Sequence, residues 1–104
     1  MNLNIEFGDC LEKFLSILDI SSNRLAKAIN VDPSLVYRWI RGKRIPPYNS
    51  TYIESISEYL SANTLNSIQE RKLIEIIKNV SLDIEHEIDF KEKIKTALLE
   101  TQGN

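Results

Sequence analysis

Cysteine and histidine are almost missing from this chain, with one of each. A lone thiol cannot build an internal disulfide framework and fits a reducing compartment. One thiol and one imidazole also cannot supply a metal-ligand set of known spacing, so neither metal nor cofactor is expected. No apolar run approaches the roughly 20 residues that a membrane-spanning helix needs. The opening MNLNIEFGD lacks the basic and apolar regions of a secretory leader. The expectation is a cytoplasmic protein with no membrane partner and no evident small-molecule ligand. Glycines number only three and no stretch alternates polar with apolar, which excludes a strand-rich fold and leaves an all-α one. With 42% apolar and 27% charged residues the composition is globular rather than disordered. At 104 residues one domain is expected, of a size where folding alone is marginal and a second copy would help.

What is present is unevenly placed. From Ser22 to Arg44 six basic residues (Arg24, Lys27, Arg38, Arg41, Lys43, Arg44) face one acid, Asp32, while the remainder holds seven basic and fourteen acidic residues. The net charge of −2 hides this segregation, and a polyanion responds to the local field rather than to the total.

Apolar spacing predicts helices over about Phe7–Leu18, from Ser21 or Ser22 to Ile29, and over Pro33–Arg41. Between the last two, Asn30 tolerates a left-handed turn, Asp32 is an N-cap, Pro33 fits the first helical position, and Gly42 is a stop. Capping-box patterns at Thr51/Glu54, Ser67/Glu70 and Asp89/Glu92 predict three further helices, to about Ala62, Val80 and Glu100. The stretch SLDIEHEI (81–88) reads as a loop or a short helix. Its His86 reads as a surface side chain, and Glu85, Glu87 and Asp89 as a solvated acidic face without the glycine turn of a calcium loop. Cys10, on a helix and without a histidine nearby, reads as a buried inert thiol. Nothing in the pattern points to an enzyme.

Two short helices joined by a tight turn, the second basic outside, point to a helix-turn-helix. Leu25, Ile29, Val31, Val36, Trp39 and Ile40 are the expected seam, with small Ala26 where the helices cross. Ser34, Leu35, Tyr37, Arg38 and Arg41 are expected outside. Tyr37 is open between a nucleic-acid contact and an aromatic packed on its own helix.

At these residues the chain resembles the Cro and phage-repressor (lambda repressor-like, XRE) helix-turn-helix proteins. "FGDCLEKFLSIL" matches the first helix, "SSNRLAKAINV" the second, "DPSLVYRWIRGKR" the third and "YIESISEYL" the fourth. Two positions depart: Asn30 stands where the family usually has glycine, and Ser22 where it usually has glutamine. The resemblance implies a DNA-binding domain over 1–64. The match ends near Ala62, and the apolar residues beyond read by themselves as a C-terminal helical extension over 65–104 that packs on the core, dimerises, or divides between the two. The resemblance also implies that the third helix enters the major groove of double-stranded DNA. Base contacts carried over are Pro33, Ser34 and Arg38, flanked by Tyr37 and Arg41. Phosphate contacts are Ser22, Asn23, Lys27, Lys43 and Arg44. The implied function is a homodimeric transcriptional regulator, most often a repressor. Two alternatives are an interaction module that pairs with a DNA-binding relative, and a DNA-binding antitoxin or plasmid component.

Overall fold

The computed structural model describes residues 5–81 and 89–102. Among these are six helices and no strand: α1 (Phe7–Leu18), α2 (Ser22–Ala28), α3 (Pro33–Ile40), α4 (Thr51–Ala62), α5 (Ser67–Val80) and α6 (Phe90–Gln102). The reading of 82–88, with Glu85, His86 and Glu87, lies outside the described residues. No helix among them is long and apolar enough to cross a membrane.

The first three helices end by one device. Asp19, Asn30 and Gly42 each adopt positive φ, at 57°, 61° and 75°. In each case the next N–H folds back five residues: Ile20 to Leu15 O at 2.9 Å, Val31 to Ala26 O at 2.9 Å, and Lys43 to Arg38 O at 2.9 Å. This is the Schellman closure, which satisfies carbonyls that a helix end leaves unpaired. Asn30 and Gly42 are where the sequence places the turns. Asp19 is a left-handed residue that the pattern of apolar positions does not reveal.

Helix starts agree with the sequence less evenly. Ser21 Oγ accepts from Arg24 N–H at 3.0 Å, and Asp89 Oδ1 from Lys91 N–H at 2.9 Å. The Thr51/Glu54 box does not form: Ser50 is the N-cap and makes no side-chain cap bond. Glu54 instead turns to α6, where its carboxylate meets Lys91 at 2.5 Å and Lys95 at 3.0 Å. Two ammonium partners outcompete one backbone N–H. The Ser67/Glu70 box is displaced by one residue. Asn66 Oδ1 accepts from Gln69 N–H at 2.9 Å, and Gln69 Oε1 accepts from Leu65 N–H at 2.8 Å. Ile68, in the first turn of α5, is 56% exposed. At the other ends, α3 stops at Ile40 rather than Arg41, and α6 runs on to Gln102.

One apolar cluster draws on all six helices. Phe7, Leu11 and Phe14 of α1, Leu25 of α2, Val36 and Trp39 of α3, and Ile53, Ile56 and Leu60 of α4 are buried with Leu73 and Ile77 of α5. Ile94, Ala97 and Leu98 of α6 are fully buried in the same cluster, so these residues serve the core of their own chain. Cys10 is fully buried too, and burial pushes its thiol up to about 12, which leaves it uncharged and inert at neutral pH.

Trp39 holds α3 in place. It lies edge-on to Phe7 at 6.5 Å between centroids and tilted against Tyr52 at 5.5 Å. Beside it, α1 comes so close to the end of α3 that a Cβ on Gly8 would sit 2.4 Å from Trp39 O and 2.6 Å from Ile40 O. The approach also brings the positive end of α1 to the negative end of α3.

Gly8→Ala is predicted to lower stability by about 2 kcal/mol, because backbone oxygens cannot move aside cheaply. That loss comes despite the better helix propensity of alanine. Urea unfolding should show a lower midpoint with an unchanged slope. A second prediction concerns acid. Lys91, then Lys95, holds the Glu54 carboxyl below its ordinary value of 4.5. The stabilisation is therefore whole above that pH and is lost as pH falls through the folded value. The stability difference between the native chain and Glu54→Gln should be constant from about pH 6 to 8 and shrink below about pH 4.5, as read by urea midpoints.

Candidate nucleic-acid interface

α3 is built to be short and fixed at both ends. Asp32 Oδ1 accepts from Ser34 N–H at 2.8 Å, and Pro33 fills the first position, where a missing N–H is no loss. Asp32's carboxyl lies below its ordinary range, chiefly through the Ser34 backbone N–H, next through the Ser34 hydroxyl, with the Arg38 charge adding. At the far end the N–H groups of both Lys43 and Arg44 return to Arg38 O, at 2.9 and 3.3 Å. The two cations after the helix are thereby tied to the turn that carries Arg38.

The two sides of α3 are sharply different. Val36 and Trp39 are buried, while Pro33, Ser34, Tyr37, Arg38 and Arg41 are exposed. Of the expected seam, Leu25, Val36 and Trp39 are buried and Ile29, Val31 and Ile40 are half-buried against the core. Leu35 corrects the outward set: it is half-buried and packs against the core. At about 100° per residue, Leu35 lies only some 40° round the helix from Trp39 four positions on. Tyr37 is exposed and also packs on its own helix. Its ring is 55% exposed, and the Arg41 guanidinium lies 5.6 Å from its centroid one turn on.

Around α3 the carried-over phosphate contacts Asn23, Lys27, Lys43 and Arg44 are exposed, and Ser22 is half-buried. Lys27, Arg38, Arg41, Lys43 and Arg44 make no ion pair among the described residues, whereas Lys91 and Lys95 are paired with Glu54. Arg24 leaves the set. Its guanidinium donates to Asn63 Oδ1 at 3.1 Å and lies 6.0 Å from the centre of the Tyr59 ring, so it is held on α4.

The loop after α3 carries two exposed side chains that the sequence reading did not include, Ile45 at 51% and Tyr48 at 68%. Their only sequence signal is the neighbouring Pro46-Pro47 pair, which denies them a helix. Grooves open on other faces, between α1 and α5 at Ile17, Lys72 and Ile76, and between α2 and α4 at Ile29, Glu58 and Tyr59.

No family model, curated protein or solved structure matches the chain.

Proposed function

We propose that the chain is a sequence-specific double-stranded-DNA-binding regulator of the lambda repressor-like helix-turn-helix kind, with α3 as the helix that enters the major groove. The observation that carries this is the pairing of a buried Trp39 with an exposed Ser34, Tyr37, Arg38 and Arg41 on one eight-residue helix. An ordinary surface helix would also bury Trp39. It would have no reason to gather, on and beside its outer face, five cations without ion-pair partners among the described residues, in a chain of net charge −2.

The roles divide by chemistry. Arg38 offers two parallel donors to O6 and N7 of guanine. Pro33 presents apolar surface to a thymine methyl, and Ser34 a short polar group already close to its own cap. Tyr37 and Arg41 act as one stacked unit at the flank. Lys43 and Arg44 on one side, with Ser22, Asn23 and Lys27 on the other, meet phosphates and set the register without reading sequence. A single unit of this size reads few base pairs, so a two-fold symmetric site bound by two copies follows. With Ile94 and Leu98 buried in their own chain, the large apolar side chains left exposed on the C-terminal half, among the described residues, are Leu65 and Ile68. Repression by occluding a promoter needs binding alone, which suits a chain built as one small helical cluster.

The test is a titration of labelled random-sequence duplex at several salt concentrations, followed by selection of preferred sequences. Native protein should lose affinity steeply with salt. Arg38→Ala should relax the preference at one base pair, a loss of about 1–3 kcal/mol of discrimination. Lys43→Ala should weaken all sequences alike and flatten the log–log salt slope by roughly one unit. Absence of salt-dependent binding by the native chain would overturn the reading.

A further inference from the structure

The last turn of α6 reaches back over the chain to the loop that follows α3. The Gln102 carboxamide donates through Nε2 to Pro46 O at 2.7 Å. Through Oε1 it accepts from Asn49 N–H at a longer 3.5 Å. One side chain thus bridges both ends of the segment Pro46–Pro47–Tyr48–Asn49. Only this orientation of the amide fits, because a proline carbonyl can only accept and a backbone N–H can only donate.

The loop needs an external hold. Asn49 is left-handed, with φ of 51°, and no helix or strand pairing is available to its N–H. Pro46 is buried and anchors one end. Pro47 and Tyr48 stand exposed, and Ser50 N–H closes a turn on Pro47 O at 3.2 Å. The other end of the same loop is the pair Lys43–Arg44, tied to Arg38 O. Long cationic side chains contact a polyanion at lower entropic cost when the backbone beneath them is already ordered.

We propose that Gln102 is a positioning residue for DNA binding: its amide clamps the 43–49 loop so that Lys43, Arg44 and the exposed Tyr48 meet one phosphate backbone together. This rests on the DNA reading above, and it gives the C-terminal helix a part in binding without contact to DNA. The end of α6 is itself seated for the task. The neighbouring Thr101 is buried, and its hydroxyl donates to Leu98 O at 2.8 Å. The clamp therefore stands on the core and not on a fraying end.

Three forms of the 104-residue chain separate the possibilities: native, Gln102→Leu, which keeps bulk and loses both bonds, and Gln102→Glu, which keeps only the acceptor for Asn49. Amide exchange on the free proteins reads the clamp. Asn49 should exchange about tenfold faster in Gln102→Leu and stay protected in Gln102→Glu, with Leu11 and Val36 unchanged in both. Affinity for labelled random duplex reads the consequence. Gln102→Leu should weaken it about threefold to tenfold and lower the log–log salt slope by roughly one unit. An unchanged Asn49 rate overturns the clamp. Faster exchange with an unchanged salt slope overturns its role in phosphate contact, as does weaker binding that follows only a fall in Tm. If the native chain binds no duplex at low salt, the DNA reading itself fails, while Asn49 exchange still decides whether Gln102 holds the loop.

Discussion

Burial of one indole sets the orientation of everything around α3. A helix advances about 100° per residue, so turning Trp39 inward against Phe7 and Tyr52 leaves no freedom for its neighbours. Ser34, Tyr37 and Arg41 then fall on the far side, and Arg38 about 100° round the helix from the indole. Gly8 makes the same constraint tighter, because α1 can approach the carbonyls of Trp39 and Ile40 only where no Cβ intervenes. The cost of re-exposing such an indole, about 3–5 kcal/mol for removing a buried large aromatic, is a large share of what a domain of this size has in total. The outward cations are therefore held in place from the inside.

Charge is used in two opposite ways in one small molecule. Between α4 and α6 it is spent on cohesion: Glu54 sits between Lys91 and Lys95, and Glu54 and Lys91 each shift toward the charged form. Around α3 it is left without ion-pair partners among the described residues. Asp32 adds no exception, since its carboxylate is occupied by the Ser34 N–H that begins the helix. The half of the chain that repels a polyanion also supplies the helix whose Gln102 steadies the loop beside the basic face. The division expected at residue 64 follows a sequence resemblance that stops near Ala62. The apolar cluster crosses it.

Legibility in the sequence follows the range of the interactions. The Asp32–Pro33 start, the left-handed Asn30 and the Gly42 stop are local events governed by one or two residues, and they stand where the sequence places them. The indole side and the guanidinium side of α3 follow from helical period alone. What is not legible depends on partners far along the chain. Glu54 leaves its own helix start for lysines 37 and 41 residues away, so its capping box looks complete in sequence and is absent in space. Arg24 looks like part of the basic cluster until Asn63 and Tyr59 take it. Gly8 shows nothing in sequence of the helix end pressed against it, and Gln102 nothing of the loop it bridges. Leu35 turns inward because its angle about the axis, some 40° from Trp39, decides its side.

The most direct test of the account is a nitrogen-edited NMR titration of the full chain with a short random-sequence duplex at low salt. The account requires the largest shifts at residues 33–44, smaller ones at Ser22, Asn23 and Lys27, and a Trp39 indole N–H that stays protected from solvent throughout. A duplex that instead perturbs α5 while leaving 33–44 unmoved, or an indole N–H that exchanges freely in the unbound protein, would contradict it.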